Sequence, residues 1–266
     1  MVKHTTSASP KFINPHELWV NGNLKWILVL ALAVFLLTLS PQTFSYLHGP
    51  ALGTDDNSAE NQELSQQSLT YHLHQQSLHE YENGNYPEAL SIWRTLAALN
   101  HAGAQYYLAN MYFNGYGVTN DASKALVWYQ RAAERGHVQS QYNMGVAYAK
   151  GIGINSDISQ AIYWWRQAAL SGNADAQFNL GLVYSKGYGI NKDLAVAARW
   201  WKKAALQGDA AAQFNLGTLY ANGEGVGQNL EQAIKLWQQA ALQGFPHAVN
   251  ALKSLSLYDL LGTKPQ

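Results

Sequence analysis

Apolar positions in the second half of the chain recur at helical offsets inside a unit of 36 residues. Ala125, Trp128, Tyr129, Ala132 and Ala133 stand at offsets 0, 3, 4, 7 and 8, which is one face of an α-helix and not a strand alternation. The matching sets are Ala161, Trp164, Trp165, Ala168 and Ala169, then Ala197, Trp200, Trp201, Ala204 and Ala205, then Ala233, Trp237, Ala240 and Ala241. A second stripe, Ala104, Leu108, Met111 and Tyr112, precedes the first set and predicts a partner helix. Four two-helix units follow, at 101–136, 137–172, 173–208 and 209–244. Small Ala beside a large ring suits close helix packing, because the ring fills the space that Ala leaves.

The polar positions punctuate these units. Asp121, Asp157, Asp193 and Asn229 stand where each second helix needs an N-cap. Gly136, Gly172, Gly208 and Gly244 stand where that helix ends, a place for a left-handed residue. Between the helices lies Gly-x-Gly-Val/Ile, as in Gly115-Tyr116-Gly117-Val118. This motif follows a helix instead of a strand and has no Lys-Ser/Thr nearby, so it reads as a tight turn and not a nucleotide loop. Val118, Ile154, Ile190 and Val226 are then expected to plug the core. Gln105, Gln141, Gln177 and Gln213 repeat in register and are expected to hydrogen-bond from repeat to repeat.

The unit Ala-x-Ala-Gln-Phe-Asn-Leu-Gly-x-x-Tyr-x-x-Gly-x-Gly-Ile, as in 174–190, resembles the Sel-one-like repeat, a tetratricopeptide relative with a longer turn inside each helix pair. The resemblance covers 101–244. It implies an all-α, right-handed α/α superhelical solenoid used as a protein-interaction scaffold. Upstream, Gly84-Asn85-Tyr86-Pro87-Glu88-Ala89 resembles an ordinary tetratricopeptide unit, so 63–100 is expected to form a capping unit in which Ala89 and Trp93 correspond to Ala125 and Tyr129. Residues 245–266 are expected to hold a closing helix and tail, with Lys253 at the position of a repeat glycine.

The N-terminal quarter breaks the pattern. Residues 1–25 are polar and carry Lys3, Lys11 and Lys25, and 26–47 contains no charged residue. That length spans a bilayer as a helix. Two readings stand: a signal anchor retained in the membrane, or a cleavable signal peptide followed by secretion. With lysines before the span and Asp55, Asp56, Glu60 and Glu63 after it, an anchor would leave the N-terminus in the cytoplasm and the repeats on the extracytoplasmic, periplasmic side of a bacterial inner membrane. Residues 48–62 show no hydrophobic pattern and are expected to form a flexible tether.

Composition narrows the function. Lys plus Arg equals Asp plus Glu, 17 each, so no basic field points to nucleic acid. The absence of cysteine excludes disulfides, thiolate metal sites and a cysteine nucleophile. His72, His74 and His79 do not gather on one helix face as metal ligands would, and His101 and His137 share a turn position with Asn173 and Asp209. No catalytic constellation stands out, so no cofactor is expected and the partners are proteins or peptides, with the membrane itself reached through 26–47.

One set of residues exceeds what the core stripe needs. Tyr106, Tyr142, Phe178 and Phe214 lie about 200° around the first helix from that stripe. With Asn110, Val146, Leu182 and Thr218, and with Phe113 and Ser185, they form a second, partly apolar row. Two roles are open: a peptide-binding groove with an aromatic ladder, or packing between successive first helices. The expected function is a membrane-anchored scaffold or adaptor. A secreted effector or an envelope hydrolase built on the same repeats is the alternative.

Overall fold

The computed structural model describes residues 57–261, with side chains for 61–255. Eleven α-helices and no strand occur among the described residues. They are α1 (Asn57–Glu82), α2 (Tyr86–Ala98), α3 (Ala102–Asn114), α4 (Ala122–Glu134), α5 (Val138–Lys150), α6 (Ile158–Leu170), α7 (Ala174–Lys186), α8 (Leu194–Leu206), α9 (Ala210–Asn222), α10 (Leu230–Leu242) and α11 (Pro246–Leu261). The described residues divide into two compact units between Leu96 and Ala97. Within the second, helices pair in sequence, α3 with α4, α5 with α6, α7 with α8 and α9 with α10. This is an α/α solenoid.

In the first unit α1 and α2 meet through a turn at Gly84, whose φ of 79° suits glycine. Trp93 is fully buried, and its indole N–H donates to His74 Nδ1 at 3.3 Å. The helix begins at Asn57, so residues 57–62 of the expected tether are helical and only 48–56 remain outside the description. Ala59, Glu60, Gln62 and Glu63 are good helix formers, and their propensity extends α1 even though no apolar face marks the segment. The expected membrane span, 26–47, lies outside the described residues. Among the described residues no helix is long and apolar enough to cross a membrane.

Each repeat is built from the same parts. Asp121, Asp157, Asp193 and Asn229 cap the second helices by accepting backbone N–H bonds, as their position predicts. The first helices carry a matching series of caps. His101 Nδ1 accepts from Ala104 N–H, His137 from Ser140, Asn173 from Ala176 and Asp209 from Ala212. A second helix ends where the N–H of Gly136 bonds Ala133 and that of His137 bonds Ala132, with Gly136 at φ 83°. The Val/Ile that follows the Gly-x-Gly turn is half-buried, and Ile154, Ile190 and Val226 pack on core clusters.

Gly145, Gly181 and Gly217 sit inside first helices for a reason of space. A Cβ on Gly181 would lie 2.3 Å from the Trp201 indole nitrogen, and one on Gly145 2.4 Å from the Trp165 ring. The first repeat carries Ala109 and Tyr129 at these two positions, a larger residue facing a smaller ring. Size is therefore conserved across the pair, repeat by repeat.

Candidate interaction surfaces of the repeat unit

Successive repeats are joined by a buried amide. Each repeat glutamine donates its side-chain NH₂ to a last-turn carbonyl of the preceding second helix. Gln105 bonds Ala97, Gln141 bonds Ala133, Gln177 bonds Ala169 and Gln213 bonds Ala205, all at 3.0–3.2 Å. Each of these carbonyls also accepts a backbone N–H of the turn that ends its helix, from Asn100, Gly136, Gly172 and Gly208 in turn, so the glutamine takes the second lone pair and fixes the stacking. The glutamines are structural, as their register predicts.

The row proposed as a groove divides on inspection. Tyr106, Tyr142, Phe178 and Phe214 are half-buried, and each packs on a core cluster. The Tyr106 ring lies 4.6 Å from the His137 ring, over the cap of the next first helix. Phe214 lies 5.6 Å from Phe245, which stands at the equivalent position one repeat after Asp209. Burial, with the Asp175 carboxylate close by, pushes the Tyr142 hydroxyl up from its ordinary pKa. The rings thus seal repeat junctions on one side and keep part of their surface open.

Their neighbours are partly committed. Asn110 accepts from the Tyr129 hydroxyl, and Thr218 donates to the Phe214 carbonyl at 3.0 Å. Ser185 is buried and donates to Leu182 within its own helix at 2.9 Å, so it offers nothing to a ligand. Val146 and Leu182 are half-buried in the adjoining clusters. Phe113, 38% exposed, is the most open of the ten.

Sequence reasoning did not single out the second-helix side. Leu170, Leu206 and Leu242 end successive second helices, are all strongly exposed, and repeat at 36 residues. Between α8 and α10 lies a cavity of about 370 Å³ lined by Lys202, Ala205, Leu206, Leu216, Tyr220 and Leu236, with Asn229, Gln232 and Gln239 at the α10 side. The signal for it was in the sequence, as a Leu at 236 where the three earlier units have Trp.

His72, His74 and His79 do not converge, and no group of side chains suited to a metal occurs among the described residues. His79 pairs instead with Asn83 at 3.0 Å. Burial holds His101 and His137 below the ordinary histidine pKa, and for His137 the nearby His101 adds to it. A low pKa keeps Nδ1 free to accept the cap bond, which a protonated ring cannot do.

Four consecutive matches to the Sel1 repeat cover residues 102–137, 138–173, 174–209 and 210–245, one residue later than the periods read from the sequence. The chain belongs to the Sel1-repeat family. Similar solved structures agree. A protective antigen, c5321, from uropathogenic Escherichia coli is 32% identical, with 76% of this chain and 44% of that one covered at a TM-score of 0.63. A Sel1 repeat protein from Oxalobacter formigenes is 31% identical, with 66% of this chain and 72% of that one covered, also at 0.63. A curated relative, an exopolysaccharide production negative regulator from Rhizobium leguminosarum bv. viciae, is 35% identical over 71 residues. The match spans 27% of each chain, well under half of that relative. Sel1-repeat proteins generally mediate protein–protein interaction and are typically non-enzymatic scaffolds.

Proposed function

We propose that this protein is a membrane-anchored scaffold whose Sel1-repeat solenoid recruits protein partners. The observation that carries the reading is the row of rings on the first helices. Tyr106, Tyr142, Phe178 and Phe214 each pack against a core cluster yet remain half open, with Phe113 more exposed beside them. Rigid aromatic surface of this kind binds at low entropic cost, because little side-chain freedom remains to be lost. Residues 26–47 supply the anchor in this reading, with the N-terminus cytoplasmic and the repeats extracytoplasmic.

Two measurements test it. The chain has no cysteine, so single substitutions Ser7→Cys and Gly227→Cys in the full-length protein report topology by labelling with a membrane-impermeant maleimide. Labelling of intact cells at 227 and not at 7 is expected; the reverse overturns the orientation, and release of a shortened chain into the medium supports the secreted alternative. For partner binding, a photo-crosslinking residue at Phe113 or Val146 is compared with one at Val127, exposed on α4. Partner adducts at the first two positions and none at the third are expected. The opposite pattern removes the first-helix row as the binding surface.

A further inference from the structure

Position 236 closes the junction between the third and fourth repeats, and it does so with a smaller side chain than its counterparts. Trp164 packs on the cluster formed by α4 and α5, and Trp200 on the cluster formed by α6 and α7. Leu236 takes the same place against Ala205, Leu216 and the rest of the α8–α9 cluster. An indole therefore fills the wedge between successive second helices at two junctions, and at the third a leucine leaves the 370 Å³ cavity. That volume falls within the range of small-ligand sites.

The lining has a definite chemistry. Its floor is Ala205, Leu216, Leu236 and the Tyr220 ring, and its polar edge is Asn229, Gln232 and Gln239. Lys202 is the one charged residue that lines it, and no carboxylate does. At the equivalent place one repeat earlier, Arg166 donates to the Tyr184 hydroxyl at 3.0 Å. Lys202 and Tyr220 occupy these positions at the cavity and make no such bond, so both polar ends stay available. At the filled junction Lys203 lies 4.6 Å from the centre of the Trp200 ring; its counterpart beside the cavity is the uncharged Gln239, which leaves Lys202 as the cation of the lining.

We propose that this cleft receives an aromatic side chain, an indole or a phenyl ring, from a partner protein, with a carboxylate beside that ring paired to Lys202. The ring replaces the Trp that position 236 lacks, and the charge of Lys202 selects an acidic neighbour. The protein source of the ring rests on the scaffold reading above; the cleft's affinity for the ring does not.

The test uses the full-length protein in lipid nanodiscs and three probes: N-acetyl-L-tryptophan, its neutral carboxamide and N-acetyl-L-leucine. Saturation-transfer NMR reads binding. N-acetyl-L-tryptophan is expected to bind, its carboxamide several-fold more weakly, and N-acetyl-L-leucine at least tenfold more weakly. Leu236→Trp fills the cleft and is expected to abolish binding while the melting temperature is held or raised, since two other junctions already accommodate Trp. Lys202→Gln is expected to equalise the acid and the carboxamide. Undiminished tryptophan binding by Leu236→Trp, equal binding of the leucine probe, or no binding by the native chain overturns the proposal. Capture of a partner that survives Leu236→Trp would leave the scaffold reading standing and remove the cleft from it.

Discussion

The first two repeats and the last two share a backbone plan, but they satisfy their buried polar atoms differently. In the C-terminal pair the amide joint is closed at both ends. Gln177 Oε1 accepts from Gln207 at 2.9 Å, and Gln213 Oε1 accepts from Gln243 at 3.0 Å. The indole N–H groups of Trp201 and Trp237 likewise reach the Phe178 and Phe214 carbonyls. In the N-terminal pair Gln105 Oε1, Gln141 Oε1 and Trp165 Nε1 are buried with no protein partner. The caps differ as well, His in the first two repeats and Asn or Asp in the last two. Identical folds can therefore carry unequal polar satisfaction, and a buried unpaired group costs more than a made bond returns. In its buried polar atoms the C-terminal pair is the better satisfied half.

The largest effect should come from the glycine–tryptophan contact, which both halves use but which the first repeat replaces. Gly181→Ala puts a methyl group against the Trp201 indole and should cost about 1–3 kcal/mol through overpacking. Pairing it with Trp201→Tyr recreates the Ala109–Tyr129 solution of the first repeat and should recover part of the loss. Chemical denaturation of both variants measures this. A Gly181→Ala chain as stable as the native one would show that size matching does not govern the pair.

Next comes pH. Burial lowers the pKa of His101 and His137, so the folded chain binds fewer protons there than the unfolded chain. Stability from these groups is complete above the ordinary histidine value of about 6.5 and is lost as pH falls below it. Each cap bond that depends on a neutral ring is worth about 1 kcal/mol. Hydrogen exchange, corrected for its intrinsic pH dependence, should show α3 and α5 loosening between pH 7.5 and 5.5. Helices α7 and α9, capped by Asn173 and Asp209, should not follow. The double variant His101→Asn, His137→Asn should abolish the contrast, and its persistence would move the pH response elsewhere.

How much of this was legible beforehand depends on range. The helix pairs, the second-helix caps and the Gly-x-Gly turns follow from periods of 3.6 and 36 residues, and the structure has them within a residue or two. The donor end of each glutamine was also readable, because a buried polar residue recurring in register needs a fixed partner. The acceptor end was not: it depends on the residue 30 positions later, an exposed site that looks free to vary. Burial of Ser185 and the half-burial of Phe178 depend on how closely neighbouring helices approach, which no single period encodes. The helical start at Asn57 was missed because propensity, not an apolar stripe, drives it.

The smallest effect is also the sharpest test of the comparison. The residue 30 beyond Gln141 is Ser171, too short to repeat what Gln207 does for Gln177. The residue 30 beyond Gln105 is Arg135, whose guanidinium is engaged with Asn100 and the Arg131 carbonyl. Ser171 is exposed at the C-cap of α6, so a longer side chain meets no steric bar there. Ser171→Gln should donate to Gln141 Oε1 and raise stability by about 0.5–1.5 kcal/mol, the net value of one hydrogen bond. Gln207→Ser, the mirror change, should lose a similar amount in the C-terminal half. Two-variant thermal denaturation, with hydrogen exchange to locate the response, distinguishes the outcomes. Opposite shifts confined to the substituted halves would tie the asymmetry to the glutamine joint, and equal or absent shifts would detach it.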